Sequence, residues 1–94
     1  MNTMTTYSGR KFDPMQMTPG DVCIEDIAHA LSLLCRGGGQ LTYFYSVGQH
    51  SLNCAAEAKA RGWSERHQLA CLLHDASEGY ISDIIRPVKI YLTN

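Results

Sequence analysis

His74 and Asp75 stand side by side in the run Leu72-Leu73-His74-Asp75-Ala76-Ser77-Glu78, with His50 upstream of them. An imidazole and a carboxylate set among Leu, Ala and Cys are costly to bury unless a metal or a hydrogen-bond network satisfies them. These three side chains read as ligands of a divalent ion. Imidazoles with a carboxylate suit Co, Mn, Fe, Ni or Zn and are less natural for Mg or Ca. Such an ion polarises a phosphoryl oxygen and draws the pKa of bound water towards about 7, giving a nucleophile at neutral pH. Phosphate ester hydrolysis also needs a cation for the non-bridging oxygens and an acid for the leaving oxygen. Arg36, beside Gly37-Gly38-Gly39, is the candidate for the first task; Glu78 and Asp83 are candidates for the second.

Three helices must position these residues. The first is expected from about Val22 to Cys35, where Ile24, Ile27, Ala28, Leu31, Leu34 and Cys35 recur at helical spacing. Asp21 can cap its start, and Gly37-Gly38-Gly39 stops it. A second helix begins near Ser46, where Ser46-Val47-Gly48-Gln49 fits a reciprocal capping box, and ends at Gly62. His50 falls in its first turn. The third starts at Ser64 as N-cap, carries a stripe of Leu69, Leu72, Leu73 and Ala76, and offers His74 and Glu78 on one face. Asp75 is rotated from that face by about 100°. Pro87 holds any fourth helix after Ser82-Asp83 to a single turn. The opening segment, Thr6 to Pro14, has Gly and Pro punctuation and no helical period, so it is irregular or a short hairpin. The fold class is all-α.

Composition narrows the function. At 45% hydrophobic and 18% charged, the 94-residue chain has the make-up of a folded soluble domain. A net charge of -1 gives no basic field for a nucleic acid polymer or an anionic membrane. No apolar run approaches the roughly 20 residues that span a bilayer, and Met1 to Lys11 lacks a signal-like stretch. The expectation is a cytoplasmic protein. The four cysteines, Cys23, Cys35, Cys54 and Cys71, contain no CxxC pair and sit at apolar helical positions, which reads as buried reduced thiols.

The ordered set His50, His74-Asp75, Glu78 and Asp83 resembles the H…HD signature of the HD-domain metal-dependent phosphohydrolases. His74-Asp75-Ala76-Ser77-Glu78, then Asp83 and Pro87-Val88-Lys89, is similar to the bacterial and phage 5′-deoxynucleotidase branch. Ile27 to Arg36 and Phe44 to His50 look like a prophage-encoded member of it. The resemblance covers roughly Tyr7 to Lys89. It implies an all-α bundle with a central divalent metal held by His50, His74 and Asp75. It further implies that Glu78 orients water or donates a proton, that Asp83 lies near the sugar or leaving oxygen, and that Arg36 holds the phosphate. The implied substrate is a deoxynucleoside monophosphate, and the family's frequent dimers imply a homo-oligomer. The family pattern ends with a distal Asp that this chain does not contain. Residues 1–94 are therefore expected to form a single HD-type domain incomplete at its C-terminus, with part of its apolar faces left exposed. The alternative is a non-catalytic metal- or nucleotide-binding module.

Plainer readings stand for other residues. His29 reads as a structural or surface histidine. His67 and Cys71 have the spacing of a metal pair, yet Cys71 fits the apolar stripe and His67 the wet first turn. Tyr43-Phe44-Tyr45 reads as core packing ahead of base stacking, Trp63 as a staple on the third helix, and the Gly run as a helix stop rather than a phosphate loop.

Overall fold

Gly9, at a φ of +92°, turns the chain so that Lys11–Phe12 (β2) pairs antiparallel with Met4–Thr5 (β1), Met4 opposite Phe12. A computed structural model describes residues 3–91. The chain end at Leu92-Thr93-Asn94, which carries no helix-terminating signal, falls outside the described residues. The hairpin tip is pinned to the first helix: the Ser8 amide and hydroxyl donate to the two carboxylate oxygens of Asp26, at 2.7 and 2.8 Å. Burial alone would raise the pKa of Asp26. Its bonds from Ser8 and Thr6 and the nearby Arg10 charge outweigh that, and hold it below the usual 3.8.

A carboxyl depressed on folding adds stability that is complete above its unfolded value and is lost as pH falls through the folded one. Ser8→Ala should therefore lower the melting temperature at neutral pH, and the gap from wild type should narrow as pH falls below 3.8. Thermal melts across that range check it, and a gap that persists in acid would show that Asp26 is not the anchor.

Helix α1 runs from Ile24 to Leu33, shorter at both ends than the expected Val22 to Cys35. Asp21 caps a separate 3-10 turn, Pro19–Asp21, by accepting from the Thr18 amide at 2.9 Å. At the other end extended pairing competes with helix. The Val47 amide donates to the Leu34 carbonyl at 2.8 Å, the Arg36 amide donates to Tyr45 at 2.9 Å, and Cys35 bridges to Ser46. That pairing draws the chain out of α1 and seats Arg36 beside the start of the next helix.

Helix α2 spans Val47–Ala60, with Arg61 as C-cap. Ser46 caps it as expected, its hydroxyl accepting from the Gln49 amide at 2.9 Å. The reciprocal half of the capping box is replaced: the Gln49 side chain reaches forward to Asn53 at 3.0 Å. Gly48 lets α2 lie against α1, since a Cβ there would stand 3.3 Å from the Leu31 backbone.

Helix α3, Glu65–Leu73, starts on Ser64 as expected but stops before His74. Residues 74–77 form a tighter turn, with amides bonding three residues back: Ala76 to Leu73 and Glu78 to Asp75, each at 3.0 Å. Helix α4 is the single turn Glu78–Ile81, closed by Ser82 at a φ of +73°. Helix α5, Arg86–Lys89, is one turn with Pro87 at its start, where proline is tolerated.

The fold is all-α with an N-terminal hairpin. Its core is small: Ile27, Leu31 and Val47, flanked by Leu34, Ala76 and Tyr80, with Phe12 edge-on to Tyr80. The expected α3 stripe is covered only in part: Leu72 and Ala76 are half-buried, while Leu69 and Leu73 stay 55% and 39% exposed. Ile24, Leu33 and Leu52 are exposed as well, as the sequence leads one to expect for this much apolar surface at this length. No helix among the described residues is long and apolar enough to cross a membrane.

Candidate metal centre

Two helices and a turn bring the three expected ligands together. His50 sits in the first turn of α2, His74 at the C-cap of α3, and Asp75 in the turn that follows. His74 Nε2 lies 3.0 Å from Asp75 Oδ2, and His50 Nε2 lies 3.8 Å from the same oxygen. The two imidazole centroids are 5.4 Å apart. Donors each about 2.0–2.2 Å from one ion stand about 3.0–3.5 Å from one another, so the His74–Asp75 spacing suits a shared cation, while His50, at 3.8 Å from Asp75, lies slightly beyond it.

The tautomer of His74 strengthens that fit. Its Nδ1 lies 2.6 Å from the Cys71 carbonyl, which can only accept, so Nδ1 carries the hydrogen. In the neutral ring Nε2 then faces Asp75 with a lone pair, carboxylate against lone pair. A cation between them would relieve that repulsion. Burial, then the Arg36 guanidinium, hold His50 below the usual imidazole value against the pull of Asp75. A neutral imidazole is the form that ligates.

The other expected residues take separate places. Arg36 is half-buried on the 3-10 turn Arg36–Gly39, near enough for its charge to act on His50 and Cys54. Glu78 is only 5% exposed, and its pKa is pushed up to about 7, first by burial, then by Asp75 and by a hydrogen bond with Asp83. It departs from the expected shared helical face with His74, since the turn at 74–77 separates them. Asp83 Oδ2 accepts from the Gly38 amide at 2.7 Å. Gly38 is therefore more than a helix stop: it has a φ of +63°, and a Cβ there would stand 3.0 Å from Ile85 Cγ2. The Gly run clasps the Asp83 segment.

Sequence reasoning missed two residues at the centre. Cys54, one turn after His50 on α2, has its sulfur 3.5 Å from His50 Nε2, and His50, Cys54 and His74 offer ligand atoms within 4.8 Å of one another. The four-residue spacing was legible, but the apolar setting of Cys54 masked it. Lys89, from α5, places Nζ 4.0 Å from Asp75 Oδ1. No helical periodicity links so short an element to Asp75. All four cysteines are free and half-buried, rather than buried as expected.

His29 stacks on Tyr7 with centroids 3.7 Å apart. Trp63 lies over the first turn of α3, near His67. Tyr43 and Phe44 are exposed, against the packing expectation, because the pairing of 34–36 with 45–47 turns their loop outward. Tyr45 alone packs, its ring edge-on to His50 and its hydroxyl accepting from Asn53 at 2.7 Å. A cavity of about 700 Å³ opens between the hairpin, α1 and α4, and meets this cluster at Glu78.

No family model matches the chain. It is 51% identical over 87 residues to an uncharacterized protein of Rhodobacter capsulatus, an overlap of 87% of this chain and 44% of that protein. It is 37% identical over 89 residues to the uncharacterized protein YfdR of Escherichia coli K12, covering 95% of this chain and 47% of YfdR. The chain thus spans about half the length of these curated relatives.

Proposed function

We propose that this chain carries the metal centre of an HD-type, divalent-metal-dependent phosphohydrolase that releases phosphate from deoxynucleoside 5′-monophosphates. The observation that carries this reading is the convergence of His50 Nε2 and His74 Nε2 on one oxygen of Asp75. A divalent ion there supplies Lewis acidity towards a phosphoryl oxygen and acidifies water at neutral pH. Arg36 and Lys89 provide positive charge at the rim for the non-bridging phosphate oxygens. Glu78, poised near neutrality and bonded to Asp83, can hold a proton and pass it to the leaving oxygen. The restriction to deoxynucleotides rests on the sequence resemblance. The reading also includes self-association through the exposed apolar residues, a cytoplasmic location, and no nucleic acid polymer or membrane as partner.

A second reading, a metal- or nucleotide-binding module without turnover, draws support from Asp83, whose Oδ2 is already taken up by the Gly38 amide. Phosphate release separates the two. Deoxynucleoside monophosphates and their ribose counterparts are offered with Co²⁺, Mn²⁺, Mg²⁺ or EDTA. The phosphohydrolase reading expects turnover that EDTA abolishes, with the deoxy substrates preferred. Folded protein that binds metal yet stays silent on every substrate would leave the binding module.

A further inference from the structure

Resting on the metal centre proposed above, we infer that the Cys54 thiolate is an additional ligand, making the site one for a thiophilic ion such as Zn²⁺, Co²⁺ or Fe²⁺. Helix α2 sets His50 and Cys54 one turn apart on a single face. The sulfur stands 3.5 Å from His50 Nε2, and both reach ligand atoms of His74 within a 4.8 Å span. Bonds of about 2.3 Å to sulfur and 2.0–2.1 Å to nitrogen place those two donors about 3.5 Å apart around a tetrahedral ion. Coordination displaces the thiol proton to solvent and leaves a soft donor beside two imidazoles. Oxygen-preferring Mg²⁺ and Mn²⁺ gain little from such a donor, whereas Zn²⁺ and Co²⁺ gain much.

Co²⁺ reports sulfur ligation directly, through a thiolate-to-metal charge-transfer band in the near ultraviolet. The EDTA-stripped protein is titrated with Co²⁺ beside Cys54→Ser, Cys54→Ala and, as a control, Cys23→Ser. Wild type and Cys23→Ser should show the band, and both Cys54 variants should lose it. The variants should also bind Zn²⁺ at least tenfold more weakly while Mn²⁺ affinity changes less than twofold. Stoichiometric Co²⁺ binding without the band overturns Cys54 ligation and leaves the His50, His74 and Asp75 centre standing. Failure of wild type to bind Co²⁺ overturns both.

Discussion

Mn²⁺ at about a hundred times its Kd should raise the melting temperature of the wild-type chain by roughly 10–20 °C and leave a His74→Ala, Asp75→Ala variant unmoved. The size follows from linkage. A ligand that binds only the folded state at that concentration adds about 2.7 kcal/mol, and each kcal/mol moves a domain of this length by about 4–8 °C. The apo chain has reason to gain this much. Among the described residues only five apolar side chains are buried, Phe12, Ile27, Leu31, Val47 and Ala58, so the ion would tie α2, α3 and the turn after α3 where apolar packing does little. The double variant should keep most of its apo stability, because His74 is 41% exposed and the Lys89 contact to Asp75 is long, at 4.0 Å. Differential scanning fluorimetry reads both numbers. Equal shifts in wild type and variant would place the ion elsewhere.

Glu78→Gln should cut phosphate release by about 10²–10⁴-fold while metal affinity stays within a few-fold, the pattern of a lost proton carrier. The same substitution should stabilise the apo protein in EDTA above neutrality. The carboxyl's folded value, about 7, lies above its unfolded 4.5, so the folded state holds the extra proton between the two. Stability therefore falls as pH rises through that window, and the full penalty is present above it. The amide cannot ionise and still donates to Asp83, so it removes the penalty. Solvent at the rim screens the repulsion from Asp75, which brings the expected gain down to the order of 1 kcal/mol. Denaturant melts of both proteins at about pH 5 and 8 measure the difference. Unchanged turnover would remove Glu78 from the chemistry, and a pH-independent gap would remove the titration.

Much of this arrangement was legible in residue order. The capping serines Ser46 and Ser64 start α2 and α3 where the sequence places them, because each hydroxyl bonds an amide three residues on. With those starts fixed, His50 necessarily falls in the first turn of α2. Two features were not legible. The halt of α3 at Leu73 has no Gly or Pro to announce it, and it arises where the chain tightens to three-residue bonds and swings Asp75 towards His50. Likewise, α1 yields its last residues to pairing between 34–36 and 45–47, a contact that local periodicity does not encode. That same pairing exposes Tyr43 and Phe44 and brings Arg36 to the centre. Cys54 was hidden by chemistry, since a cysteine at an apolar helical position looks like core until the facing residues are known.

The most direct test of the central claim is calorimetric titration of the EDTA-stripped protein with a divalent ion, beside Asp75→Asn. The site described here predicts one ion per chain in wild type and at least a tenfold weaker isotherm in the variant, whose amide removes the charge on which both imidazoles converge. Superimposable isotherms, or no saturable binding by folded wild type, would contradict it.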